Sequence, residues 1–234
     1  MMEQCRIWLR RAPPVTARND LRLLDESERS ANQRFATEPL RARHACAHAL
    51  LRHALAQSLG LEPSSFRFEP GRNDRPRLAG ISHELDFNLS HSGPYVACAV
   101  SRSGMVGIDV ETINHKMDYA RILSHVASTA ERSWLQTKVP GEARRAFFRL
   151  WVLKEAYAKA RGDGLNLPFT EVTLMPRGSD FVLDLEATGD NPDDWVFALY
   201  DVNREASMAI AVKPRDTQNA GFSIRIMQGS ELLV

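Results

Sequence analysis

Cysteine is scarce in this chain: three residues, Cys5, Cys46 and Cys98, lie far apart among 234. An odd number at such separations fits neither a disulfide framework nor a zinc knuckle, and suits a reducing cytoplasm. Long apolar runs are missing too, since no stretch approaches the roughly 20 residues that cross a bilayer. The opening Met1-Met2-Glu3-Gln4-Cys5-Arg6 carries an acid and no apolar core segment, so it does not read as a secretory signal. No Gly-x-x-x-x-Gly-Lys occurs, which argues against a P-loop NTPase. His44 and His48 stand one helical turn apart, but no carboxylate accompanies them in the His-Glu-x-x-His manner. With His53 and the alanines between them, they read as a partly buried or surface helix face. Lysine is rare beside arginine, and the net charge is only +1. A nucleic-acid binder would show a basic balance with interleaved aromatics. Arg29, Arg34, Arg41, Arg43 and Arg52 crowd the first half instead, which suggests a compact anionic ligand such as a nucleotide with several phosphates.

What is present is a grammar stated twice. A helical pattern runs from about Pro39 to Leu59 and stops at Gly60-Leu61-Glu62-Pro63. Phe66-Arg-Phe68, a turn at Gly71–Asp74 and strands near Phe87–Leu89 and Tyr95–Val100 follow. A second helix, from about Ala143 to Arg161, stops at Gly162-Asp163-Gly164 with Pro168 beyond. Val172–Leu174, a turn at Pro176–Gly178 and strands near Trp195–Tyr200 and Met208–Val212 complete it. Glycine after the last periodic residue, then proline, is a helix stop in both halves. The expected fold is α+β, with two similar lobes related by a pseudo-twofold axis. Each lobe packs a long helix on a small, mainly antiparallel sheet. The boundary falls near Ser101–Gly104, giving lobes 1–104 and 105–234 with a ligand cleft between them.

Two segments carry the chemistry. In Gly107-Ile108-Asp109-Val110-Glu111 a strand turns both carboxylates to one face and Ile108 and Val110 to the core. On a helix Trp151, Glu155 and Lys159 share a face, while Lys154 lies on another. Separately, an acid pair on a strand or a Glu–Lys pair four apart is ordinary surface. Together they bring three carboxylates beside a lysine, a donor set for a hard divalent cation and a phosphate ester. Asn88-Leu89-Ser90-His91-Ser92-Gly93, between two strands, offers convergent donors for a phosphate, and Arg43 offers a bidentate fork.

Phe87-Asn-Leu-Ser90-His91-Ser-Gly93, Gly107-Ile-Asp109-Val-Glu111 and Trp151-x-x-Lys154-Glu155-Ala-x-x-Lys159-x-x-Gly162-x-Gly164-Leu165 together resemble the 4′-phosphopantetheinyl transferases. The match is to the longer, two-lobed Sfp-type class and extends over most of the chain. The resemblance implies a monomeric enzyme that moves the phosphopantetheine arm of coenzyme A to a serine of an apo carrier protein of acyl, peptidyl or polyketide type. Adenosine 3′,5′-bisphosphate would leave, and neither nucleic acid nor membrane would take part. Asp109, Glu111 and Glu155 would hold magnesium, for which manganese can substitute. Lys159 would lie on the pyrophosphate, Ser90 and His91 on phosphates, Arg43 on the 3′-phosphate and Arg75 beside the adenine. Glu155 would be the base, directly or through a metal-held water, and Glu131 falls near an acidic family position. Two departures stand out: Val126-Ala-Ser-Thr-Ala before Glu131 lacks bulky aromatics, and Asp163 occupies a place where many relatives carry lysine. The competing readings are a metal-dependent nucleotide phosphohydrolase and a non-catalytic module that binds coenzyme A or a carrier.

Overall fold

The two long helices follow one plan, and the sequence dictates it at both ends. Helix α3 (Glu38–Leu59) and helix α6 (Pro140–Arg161) each contain 22 residues, with proline in the first turn and glycine just past the last. Proline lacks an N–H that the first turn leaves unpaired anyway. Gly60 and Gly162 take φ of 70° and 73°, a left-handed conformation that opposes a Cβ. Because Pro140 can open a helix, α6 starts earlier than its apolar periodicity at Ala143 suggests.

The computed structural model describes residues 4–71, 75–80, 85–102, 104–114, 118–178, 180–215 and 222–227. The expected Gly71–Asp74 turn and Ser101–Gly104 boundary lie partly outside these residues. Strand β1 (Gln4–Arg11) leads to α1 (Arg18–Leu23), α2 (Glu26–Gln33) and α3. A ribbon of β2 (Phe68–Pro70) and β3 (Pro76–Leu78) and a hairpin of β4 (Asp86–Ser92) and β5 (Tyr95–Ser101) follow. Phe66, expected in the first of these strands, instead follows a 3-10 turn and is buried. The second half repeats the series: β6 (Gly104–Thr112), α4 (Tyr119–Val126), α5 (Thr129–Gln136), α6, then β7 (Thr173–Arg177), β8 (Asp180–Asp184), β9 (Val196–Val202) and β10 (Ala206–Pro214).

One sheet therefore runs β1-β5-β4 and the other β6-β10-β9, both antiparallel. The last strand, β11 (Ser223–Ile226), does not stay with the second lobe. It pairs in parallel with β1 and covers that strand's outer edge, whose backbone groups would otherwise lack sheet partners. A division at residue 104 thus separates the helices but not the sheets.

Side-chain alternation stacks the layers. Ile7, Leu9, Ala97 and Ala99 of the first sheet meet Val106, Ile108, Val110 and Ile210 of the second in one shared core. The opposite faces carry the helices: Trp8, Val96 and Cys98 with α3, and Ala209 and Ala211 with α6. Each large side chain withdrawn from water this way contributes roughly 1.5–3 kcal/mol. On β6 the face toward α6 holds Gly107, Asp109 and Glu111. A Cβ on Gly107 would fall 2.0 Å from the Ala156 carbonyl oxygen, so only glycine lets α6 approach this closely.

The lobes meet along β4 and β6, which lie side by side without a strand ladder between them. Side chains of β4 do the bonding. Asp86 Oδ2 accepts from the Val106 N–H at 2.7 Å, and Asn88 Oδ1 from Ile108 at 2.9 Å. Ser90 Oγ accepts from Val110 at 3.3 Å, and Ser92 Oγ from Thr112 at 3.1 Å. Alternate residues on one strand thereby satisfy alternate N–H groups of an edge strand, groups that are costly to bury unpaired.

Candidate functional site

A cavity of about 690 Å³ opens on this seam, with Ser90, His91, Asp109, Glu111, Glu155 and Lys159 in its wall. The close approach at Gly107 sets α6 over β6, so Lys159 Nζ reaches Asp109 Oδ1 at 2.6 Å and Ser90 Oγ at 3.0 Å. Ser90 donates its own hydrogen to Asp109 Oδ1 at 2.7 Å. Ser92 donates to Glu111 Oε2 at 2.5 Å, and the Trp151 side chain also bonds Glu111. The seam serines therefore hold the strand backbone and its carboxylates together.

Three carboxylates face one lysine, and their protonation reflects it. Burial raises Glu155 to about 7, and the charges of Asp109 and Glu111 push the same way despite Lys159. Glu111 is raised by burial and by Asp109, against the Ser92 bond. Asp109 is raised by burial, although Lys159 and Ser90 oppose the shift. Its second oxygen, Oδ2, is buried with no hydrogen-bond partner among the described residues. Undercompensated negative charge and an orphaned carboxylate oxygen fit a hard cation with oxygen ligands. Among the described residues, no three metal-capable side chains already converge on one point. The reason is local: Asp109 Oδ1 is committed to Lys159 and Ser90, and Glu111 to Ser92, so a cation would have to take over some of these bonds.

The other expected residues divide. His91 is in the cleft wall with its pKa lowered by burial, then by Arg43, Lys159 and His48, which favours the neutral ring. Arg43 is not among the residues that line the cavity; it bonds the Gly93 carbonyl at 3.2 Å, and its charge reaches His91. Arg75 does more than line the cleft. It bonds Asp86 at 2.9 Å, the Phe87 carbonyl at 2.7 Å, the Val106 carbonyl at 2.8 Å and the Lys159 carbonyl at 2.6 Å. It thus ties β4, β6 and the end of α6 together. Asp163 is paired with Arg161 at 2.5 Å, which offsets its charge.

Glu131, expected near the catalytic group, is not among the residues that line the cleft. It is fully buried, accepts from the N–H groups of Ser128 and Leu174, and pairs with Lys154 at 2.6 Å. Lys154 also donates to the carbonyls of Val126, Phe169 and Val172. A carboxylate so enclosed caps α5 and fastens it to α6, and it cannot meet a substrate hydroxyl.

Sequence reasoning missed Asp86 and Asn88 as seam residues, although the polar alternation from Asp86 to Ser92 was the available signal. It also set His48 aside as an ordinary helix face, whereas the ring lines the cleft.

A family profile described as 4′-phosphopantetheinyl transferase superfamily matches residues 105–211. A second, described as 4′-phosphopantetheinyl transferase, N-terminal, matches residues 14–103. A 4′-phosphopantetheinyl transferase of Bacillus subtilis is 30% identical over 167 residues, covering 71% of this chain and 72% of that protein. HetI of Nostoc sp., a protein of the same description, is 33% identical over 156 residues, 65% and 66% of the two chains. Sfp of Bacillus subtilis is 32% identical over 125 residues, 53% and 54% of the two. A solved holo-(acyl-carrier-protein) synthase from Bacillus anthracis superposes with a TM-score of 0.40 at 17% identity, covering 49% of this chain and 98% of that one, too loosely to carry an argument.

Proposed function

Because the chain belongs to the 4′-phosphopantetheinyl transferase superfamily, we propose that its cleft transfers the phosphopantetheine arm of coenzyme A to a serine of an apo carrier protein. The observation that carries this reading is the meeting of Asp109, Glu111, Glu155 and Lys159 beside Ser90 and His91 on the seam. The carrier's serine oxygen forms a bond to the phosphorus next to pantetheine. The bond from that phosphorus to the bridging pyrophosphate oxygen breaks, and adenosine 3′,5′-bisphosphate leaves.

An alcohol attacking phosphorus must lose its proton. Glu155 suits the role of base by its place in the cleft wall beside Lys159; in the metal-free protein burial and its acidic neighbours hold it at about 7. Lys159 stabilises charge that builds on the pyrophosphate oxygens from a fixed position against β6. Asp109, Glu111 and Glu155 would hold magnesium, with manganese as a substitute, and the ion when bound neutralises pyrophosphate charge. His91 and Ser90 meet phosphates of the coenzyme, Arg43 meets the 3′-phosphate, and Arg75 fixes the wall beside the adenine. The chain works as a monomer, because the duplicated lobes build both walls of the cleft. Acyl, peptidyl and polyketide carriers all have the required serine. Among the described residues no helix is long and apolar enough to cross a membrane, and the three cysteines, Cys5, Cys46 and Cys98, are buried as thiols, which suits a cytoplasmic enzyme.

Incubation with coenzyme A, magnesium and an apo carrier tests the reading by mass spectrometry. A mass gain on the carrier equal to the phosphopantetheine arm is expected. Nucleotide hydrolysis without that gain would mean a phosphohydrolase, and neither product would leave a binding module.

A further inference from the structure

His48 and Glu28 form a pair that the mechanism above does not use. Glu28 is buried at the start of α2, where it completes a capping box with Asp25. It accepts from Arg52 Nη2 at 2.7 Å and from Arg52 Nε at 3.0 Å, and its other oxygen meets His48 Nδ1 at 2.7 Å. Burial alone would raise this carboxyl. The bonds from His48, Arg52 and the Asp25 N–H outweigh burial and hold it at about 2. Glu28 is therefore ionised, and its Oε1 accepts a hydrogen bond from the His48 Nδ1–H. That bond fixes the ring and leaves Nε2 as its remaining polar atom.

The second lobe has the same device without the histidine. Glu131 likewise sits in a capping box, with Ser128, and pairs with a buried cation of the long helix. Arg52 and Lys154 each stand eight residues before their left-handed glycine. Twelve residues before it the first lobe has His48 and the second Leu150, a buried core residue. The cap and ion pair thus need no imidazole, and in the first lobe that position opens onto the cleft. Two other imidazoles, His44 and His91, lie within electrostatic reach of His48. The His44 ring lies tilted against it, with centroids 4.3 Å apart, and is lowered to about 4 by burial and by His48. His91 lies within electrostatic reach of His48, Arg43 and Lys159 together.

We propose that His48, oriented by Glu28, is a further coenzyme-contacting residue whose Nε2 edge meets the 3′-phosphate at the α3 wall of the cleft. The inference rests on the coenzyme A reading of the cleft. On that reading the pyrophosphate lies with Lys159 at the α6 wall, so the remaining phosphate falls to the imidazoles at the opposite wall and to Arg43 near them. Glu28 is a positioning residue here: it touches no substrate and acts through the ring it holds.

Calorimetric titration of the full chain with coenzyme A and with dephospho-coenzyme A tests this. His48→Leu gives the first lobe the residue its counterpart carries and should fold, as a thermal melt checks. It should weaken coenzyme A binding by about tenfold, the scale of one charge-assisted hydrogen bond, and leave dephospho-coenzyme A binding essentially unchanged. His48→Gln, whose amide can donate from a similar place, should recover part of the loss. Glu28→Gln should show the same selective weakening, raising KM for coenzyme A without a matching fall in kcat. If His48→Leu binds coenzyme A as the unaltered chain does, or weakens both coenzymes alike, the inference is overturned alone. If the unaltered chain binds neither coenzyme, the reading of the cleft falls and the inference with it.

Discussion

The two lobes place different chemistry at matching positions of one scaffold. Trp8 sits opposite the fourth residue of β5, and Asp109 opposite the fourth residue of β10. Gln57 and Lys159 each lie three residues before a left-handed glycine. In the first lobe the strand and helix residues form a neutral bond, Trp8 Nε1 to Gln57 Oε1 at 3.2 Å. In the second they form an ion pair, Lys159 to Asp109 at 2.6 Å. Seven residues before the glycine the first lobe has exposed His53 and the second Glu155. The architecture thus supplies position, while side-chain identity sets the chemistry of each lobe.

The sharpest way to break that difference is to write the first lobe's residue into the second. Lys159→Gln should lower the transfer rate by about 10²–10³-fold, the usual effect of removing one preorganised charge stabiliser. Asp109→Ala, Glu111→Ala and Glu155→Ala should each nearly abolish transfer, as mass gain on a carrier would report. Full activity of Asp109→Ala in chelator would remove the metal assignment.

Glu131 tests what the lobes share rather than what separates them. Glu131→Ala leaves Lys154 in the core without its counter-charge, so it should destabilise the protein by about 3–5 kcal/mol in denaturant titration. The kcat of the folded fraction should stay near that of the unaltered chain. A collapse of kcat with stability intact would return Glu131 to the catalytic group.

Gly107→Ala probes the approach of α6 to β6, which has no equivalent glycine in β1. Its Cβ would press on Ala156 and Ala160, and overpacking of this kind costs about 1–3 kcal/mol. Transfer should fall along with stability, because Glu155 and Lys159 ride on the displaced helix.

The smallest effect concerns pH. With Glu155 at about 7 in the metal-free protein, a proton competes with the cation below that value. Magnesium affinity should be about tenfold weaker at pH 6 than at pH 8. The raised pKa also stabilises the metal-free fold at low pH, and that contribution is lost as pH rises from the unfolded value near 4.5 through about 7. Melting curves without metal should therefore fall across this window and recover on adding magnesium. A pH-independent affinity would mean that Glu155 is not a ligand.

Local pattern made the helices, their glycine stops and the shared face of Asp109 and Glu111 legible, because each depends on residues a few positions apart. The partners of Glu131 and His48 were not legible in the same way. Glu131 resembled a catalytic acid in sequence, and only the fold reveals Lys154 and the Leu174 N–H around it. His48 has no carboxylate within a turn of it along its own helix, and Glu28 reaches it from α2. The return of β11 to β1 depends on an edge left open by distant strands, which no local signal records.

The side-chain seam makes the union of the lobes editable one position at a time. A backbone ladder is indifferent to sequence, whereas each crosspiece between β4 and β6 is a replaceable amino acid. Two of them, Ser90 and Ser92, also hold Asp109 and Glu111. A ligand that draws either hydroxyl away from its strand N–H loosens the joint, and loosening the joint frees the hydroxyl for the ligand. By thermodynamic reciprocity, the free energy with which occupancy alters lobe association equals that with which association alters affinity. Mutational drift along β4 would accordingly tune cohesion and binding as a single inherited quantity.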